Sequence, residues 1–304
     1  MLALTIKRTS KTQRKEIIFM EESQEILMGF AARASQILYD YFTNISGFFG
    51  KESEIPIFES YVLKQLPISC HTTSESVLVL VANNRLWDNE MLMRAILEGT
   101  IKFIYLTVGT NEERAIKVNE FWRILPEINK IRRSRRADDV YNYLPSNQKD
   151  DMKFIKGVVF STEELKEIEE KYPRKYRKEL EHKWSYSEIV KELSKKDQYK
   201  YFSGFFHGYG IGSHLIHQDA DAINFLIDHN QRIPERRVAK EIAHGCRQIS
   251  DVLTYCVLRL FAYRILFKEP IEKIYLDSHN TLEQEMKKYH DNFQNVEERF
   301  LNYD

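Results

Sequence analysis

An all-α fold, an irregular helical bundle with a charged helical stretch, is what this sequence predicts, and three observations predict it. Apolar residues recur at spacings of three and four along much of the chain, the period of a helix with one buried face. Ser or Thr followed three residues later by Glu occurs at Thr72, Thr110, Ser161 and Ser185, where hydroxyl and carboxylate satisfy the free N–H groups of a helix start. Only 11 glycines and 7 prolines stand in 304 residues, few turn formers for a sandwich or barrel. An apolar content of 43%, with 17 Tyr and 18 Phe, fills a sizeable core.

Residues 1–18 are basic and weakly patterned, with Lys7, Arg8, Lys11, Arg14 and Lys15, a frayed lead or a helix start. From Glu21 to about Phe49, Ile26, Leu27, Phe30, Ala31, Ile37, Leu38 and Phe42 make an amphipathic helix. Pro56 and Pro67 bracket a short helical piece. Thr72 and Glu75 then cap a long helix that runs to Leu106; its LVLVA run has strand character, but no turn signal interrupts it. Thr110 opens the next helix, which Pro126 kinks or ends. After the basic run KIRRSRR, residues 137–195 are highly charged and read as short helices capped at Ser161 and Ser185. Pro234 opens a long apolar-striped helix from about Glu235 to Phe267, which Pro270 stops, and a charged terminal helix covers 280–303. The expected organisation is one helical domain over 1–304. Its core helices lie in 19–110 and 199–268, a charged helical insertion occupies 111–198, and a C-terminal tail follows over 270–304.

Charges cancel at 45 against 45, so a preference for nucleic acid must come from a local patch. Cys70, Cys246 and Cys256 form neither a zinc spacing nor a paired framework, which suits a reducing cytoplasm. No signal peptide and no membrane span is expected, since Arg259 and Arg264 interrupt the longest apolar run.

The stretch from Tyr199 to Asp221 concentrates proton-handling side chains and repeats Tyr-x3-Ser-x3-His, as Tyr199/Ser203/His207 and Tyr209/Ser213/His217. On one continuous helix Ser203, His207, His214, His217 and Asp221 fall within roughly an 80° arc. His214, His217 and Asp221 offer metal-ligand types but not the spacing of a familiar metal motif, and no metal or other cofactor is expected. No Gly-x-Ser-x-Gly elbow accompanies Ser213. Gly208, Gly210 and Gly212 lack the preceding strand and following Lys of a phosphate loop, so they read as a kink or a close helix approach. Arg94 and Glu98 stand one turn apart in an apolar helix, where a buried charge needs a partner. KIRRSRR supplies Lys130, Arg132, Arg133, Arg135 and Arg136, five cations in seven residues able to neutralise phosphates.

The order LMRAILEGTIKFIYL, KWSYSEIVKEL, YGIGSHLIHQD resembles an uncharacterised bacterial family of helical proteins, over about residues 75–230. Its members show an Arg-x-x-x-Glu helix followed much later by a Tyr-x3-Ser-x3-His segment. The resemblance implies a helical domain with Arg94, Glu98, Ser213 and His217 as the carried-over positions; the second Tyr-Ser-His copy is preferred because Asp219 follows it. Such families are similar to the HEPN helical ribonucleases of bacterial toxin and phage-defence systems, whose Arg-x4-His signature falls here on Arg177 and His182.

Two readings follow. In one, a metal-independent enzyme acts on RNA or a nucleotide, with His217 as acid/base group, Glu98 as its orienter and Arg94 as phosphate clamp. In the other, the same four polar residues only tie two helices together, and the surface, the C-terminal helix included, binds a partner protein. Exposure discriminates them: catalysis needs His217 in an open cleft, whereas a structural role seals it.

Overall fold

Helical periodicity and capping residues become thirteen α-helices and no strand among the described residues of the computed structural model, which are 11–51, 54–270 and 274–301. In chain order they are α1 (Lys11–Ser46), α2 (Ile57–Ala82), α3 (Leu86–Thr107), α4 (Asn111–Asn119), α5 (Leu125–Tyr143), α6 (Lys153–Lys156) and α7 (Thr162–Lys171). There follow α8 (Arg174–Lys183), α9 (Tyr186–Ser194), α10 (Phe205–His217), α11 (Ala220–Gln231), α12 (Pro234–Leu266) and α13 (Ile274–Leu301). The chain divides into two compact units, Met1–Ile104 with Gly204–Asp304, and Tyr105–Ser203. Of the basic lead expected over residues 1–18, residues 1–10 lie outside the described residues, and 11–18 are the start of α1.

In the first unit, α12 is the central helix, packed by α1, α2 and α13. Its Cys246, Ile249, Val252, Leu253 and Cys256 are fully buried. A Cβ on Gly245 would stand 2.4 Å from Leu27 Cδ2, so the missing side chain is what lets α1 and α12 approach there. Arg259 is also fully buried and donates to Thr100 Oγ1 at 2.5 Å. The terminal helix is longer than the sequence suggests and is not a free tail: α13 buries Leu282, Met286 and Val296, and Tyr289 meets Phe30 edge-on at 5.6 Å.

Three local expectations change. Pro67 does not bracket a helix but sits buried inside α2. A proline there leaves the carbonyl four residues back without its helical donor, and the Tyr263 hydroxyl donates to that Leu63 carbonyl at 2.8 Å. Thr72 consequently caps nothing; its hydroxyl donates back to Ile68 O at 3.2 Å, the usual behaviour of a mid-helix threonine. The expected helix 72–106 is two helices, because Asn84 takes a left-handed conformation (φ 54°) that ends the first, a conformation asparagine tolerates better than most residues. LVLVA is the last turn of α2.

The second unit is built on one long rod. The Thr110/Glu113 capping box opens α4 as expected, and a π-helical turn at Glu120–Ile124 carries the chain into α5. Pro126 falls in the first turn of α5, where its missing N–H does least harm, so it does not end the rod. Glu120 accepts from Trp184 Nε1 at 2.9 Å and from Lys183, and Trp184 packs on Phe121 and Tyr105. The Ser161/Glu164 box and the Ser185 cap form at the starts of α7 and α9.

Candidate functional site

On α3, residues Glu90, Arg94, Glu98 and Lys102 recur every four positions and so form one stripe. Arg94 Nε donates to Glu98 Oε1 at 3.2 Å, and Lys102 Nζ to Glu98 Oε2 at 3.3 Å. Arg94 Nη2 also donates to the Tyr209 hydroxyl at 2.6 Å, and its guanidinium lies 4.2 Å from the centre of the Tyr209 ring. Burial, followed by the charge of Glu98, pushes the Tyr209 hydroxyl up from its ordinary pKa. A Cβ on Gly212 would stand 3.0 Å from both Arg94 Cβ and the Glu90 carbonyl oxygen, so α10 crosses α3 at that glycine. The stripe thus meets α10 through Tyr209. Ser213 is half-buried and His217 exposed, and neither makes a side-chain bond among the described residues.

The stretch from Tyr199 to Asp221 is not one helix. A 3-10 segment over Asp197–Gly204 precedes α10, and Gln218 ends α10 in a left-handed conformation (φ 48°). Asp219 then caps α11 by accepting from Ala222 N at 3.2 Å. The single arc therefore does not form: Ser203 lies in the 3-10 segment and Asp221 on α11. The side chain of His207 lies outside the described residues. The turn brings Asp219 Oδ2 to 2.7 Å and Asp221 Oδ2 to 3.8 Å from His214 Nδ1. The hydrogen bond that Asp219 accepts from the His214 ring raises the imidazole pKa and lowers that of the aspartate. His214, Asp219 and Asp221 present ligand atoms within 4.8 Å of one another; His217 is not in that group. His214 and Asp221 open onto an exposed recess of about 780 Å3, rimmed also by Phe206 and Phe225.

A third cluster, unforeseen in the sequence, lies between α3 and α12. Glu90 is 2% exposed. It pairs with Arg247, accepts from Gln248 Nε2 at 2.7 Å and stands 3.1 Å from His244 Nε2. Gln248 donates also to Leu86 O and accepts from Asn89 Nδ2 at 3.0 Å. Burial alone raises the Glu90 carboxyl, but the His244 hydrogen bond and the Arg247 charge outweigh it and hold its pKa at about 2. Burial lowers the pKa of His244, which stacks on Trp87 at 4.7 Å. One turn on, Asp251 accepts from Arg247 Nη1 at 2.7 Å, yet burial, with Glu90 adding repulsion, pushes its pKa up to about 6. A carboxyl so placed exchanges its proton near neutrality. The sequence signal was His244, Arg247, Gln248 and Asp251 sharing one face of α12.

In the second unit, KIRRSRR is helical, within α5. Ile131 and Ser134 are its buried positions, and Ser134 Oγ accepts from Phe160 N at 2.8 Å. Lys130 Nζ lies 6.0 Å from the centre of the Phe160 ring, and Arg133 and Arg136 are exposed. Arg132 and Arg135, exposed as well, line a recess of about 530 Å3 with Arg174, Arg177 and Lys178 of α8. Its carboxylates are Glu181, bound by Arg132 at 2.5 Å, and Glu169, bound by Arg135 at 2.7 Å and Arg177 at 3.3 Å. The α8 cations were legible, since positions 174, 177 and 178 share one helix face. His182 is turned to solvent and, unlike Arg177, does not line the recess.

No helix among the described residues is long and apolar enough to cross a membrane. No curated protein and no solved structure matches the chain. One family does match, over residues 60–233, more than half of the 304. That span holds the Arg94 stripe, the cationic recess and the His214 turn, and by it this chain belongs to the family of unknown function DUF5677.

Proposed function

We propose that this protein binds nucleic acid or a nucleotide through its phosphates, and that the cationic recess of the second unit is where it does so. The observation that carries this is the charge balance of the recess. Arg132, Arg135, Arg174, Arg177 and Lys178 face only Glu169 and Glu181, in a chain whose total charge is zero. Such an excess of guanidinium groups around one cavity suits phosphate oxygens, which the planar N–H fork meets two at a time. In this reading Arg177 is a phosphate ligand and not half of a ribonuclease pair. Lys130, Arg133 and Arg136 flank the recess residues on the same helix and add to the local field.

The test is fluorescence anisotropy with a labelled single-stranded RNA between 50 and 200 mM salt. The expected result is weakening on a log–log line, with a slope of about −0.7 per phosphate engaged. Replacing Arg132 and Arg135 by Gln flattens that slope. Absent binding, or a slope unchanged by the substitutions, refutes the reading.

For the first unit, the contact of Arg94 with Tyr209 favours the non-catalytic role of the predicted set. Arg94 and Glu98 are spent on each other and on Tyr209, and the exposed His217 lines none of the recesses described above. Were this unit to catalyse proton transfer, Asp251, whose carboxyl burial pushes up to about 6, is the group suited to it.

A further inference from the structure

We propose that the recess between α5 and α8 recognises a phosphomonoester, the terminal phosphate of a nucleic-acid strand or of a mononucleotide, in preference to the internal diesters of a strand. This rests on the phosphate-binding reading above and narrows it to one chemical class.

Charge is the first argument. Glu181 is held by Arg132, and Glu169 is shared by Arg135 and Arg177. Both carboxylates are therefore committed and serve to fix three guanidinium groups in place. Arg174 and Lys178 complete the wall with no ion pair among the described residues. Five cations against two carboxylates leave three positive charges. A monoester carries close to two negative charges at neutral pH, because its second pKa is near 6, whereas a diester carries one. The dianion matches the recess better, and it presents three acceptor oxygens to donors arriving from two helices.

Shape is the second argument. About 530 Å3, walled by α5, α7 and α8, is the size of a pocket for one small ligand. Binding along a strand uses instead an extended groove with stacking aromatics, and no aromatic residue lines this recess. A terminal phosphate has only to enter; an internal one must also leave. Helix electrostatics agree. Arg174, Arg177 and Lys178 crowd the beginning of α8, which no side chain caps. Cations are unfavourable at that end of a helix, and an anion seated among them offsets the repulsion.

The experiment uses the full chain and three internally labelled RNA oligomers of one sequence, carrying a 5′-phosphate, a 3′-phosphate or hydroxyls at both ends. The expected result is at least a tenfold lower Kd for one phosphorylated oligomer than for the hydroxyl form. That preference is lost in an Arg174→Gln, Lys178→Gln double variant, whose substitutions are at exposed positions and leave the far-ultraviolet circular dichroism unchanged. Adenosine monophosphate added as competitor separates the sources: displacement assigns the site to a free nucleotide, and its failure to displace assigns it to a strand end. Equal binding of all three oligomers overturns the monoester proposal while leaving phosphate binding intact. Binding of none overturns both. A preference that survives the double variant overturns the placement in this recess, and a single Arg174→Glu variant checks that result with the opposite charge.

Discussion

Replacing Glu90 by Gln is the most informative single change, because this carboxylate is buried and holds three residues of α12. Its folded pKa of about 2, against an ordinary 4.5, means that folding favours the ionised form. The sign follows directly: a depressed carboxyl stabilises the fold above the unfolded pKa, and this contribution is lost as pH falls from about 4.5 towards 2. At 1.36 kcal/mol per pKa unit the shift corresponds to about 3 kcal/mol at pH 7. That agrees with the roughly 3–5 kcal/mol lost when one partner of a buried pair is removed, since the glutamine leaves Arg247 with Asp251 alone. Urea unfolding at pH 7, followed by helical circular dichroism, should show Glu90→Gln destabilised by about 3 kcal/mol, and the difference should shrink as pH is lowered below 4.5. A double-mutant cycle with Arg247→Met measures the pair itself. A loss below about 1 kcal/mol at pH 7, the level of a solvated surface pair, or a loss that does not shrink in acid, refutes the reasoning.

Two further outcomes follow from the same helices. Asp251 has the opposite sign: its pKa, raised from 3.8 to about 6, makes the ionised form a cost above pH 6 that disappears towards pH 4. Asp251→Asn should therefore stabilise the protein at pH 8 by up to about 3 kcal/mol, less to the extent that solvent screens a side chain 30% accessible, and should change little at pH 4; destabilisation at pH 8 would contradict it. Gly212→Ala gains up to about 1 kcal/mol of helix propensity but inserts a methyl 3.0 Å from Arg94 Cβ and the Glu90 carbonyl oxygen, an overpacking that costs about 1–3 kcal/mol. A lowered Tm is expected, and an unchanged or raised one would show that α10 is not seated on α3 at this point.

The helical class, and the helix starts at Thr110, Ser161 and Ser185, were legible because capping is local: both partners of each box lie within four residues. Where sequence reading failed, a distant residue intervened. Pro67 looks like a boundary until the Tyr263 hydroxyl, 200 residues beyond Leu63, supplies the donor that the Leu63 carbonyl lacks. Thr72 looks like a cap only if Pro67 ends a helix, so the second error follows from the first. At Asn84 no turn signal was read, and the left-handed residue there nevertheless ends α2.

The polar residues followed the same rule, with a sharper consequence. Ser213 and His217 were carried over from the family resemblance, in a stretch crowded with reactive types; a single left-handed residue, Gln218, separates His217 from Asp219 and Asp221. Burial discriminates better. A solvated histidine needs nothing from its neighbours, whereas a charged or polar group inside an apolar helix face must find a partner. His244, Arg247, Gln248 and Asp251 share one face of α12, opposite Ile242, Cys246 and Ile249, and in the structure that face meets α3. Glu90 of α3 is the carboxylate that meets them. The cationic recess obeys the complementary logic. Its charges are not forced together by burial, and their mutual repulsion is only partly offset by Glu169 and Glu181. The Glu90 cluster thus pairs its charges within the chain, while the α5–α8 recess keeps an excess of cations that an anion would offset, and for that reason the proposed function rests on the second unit.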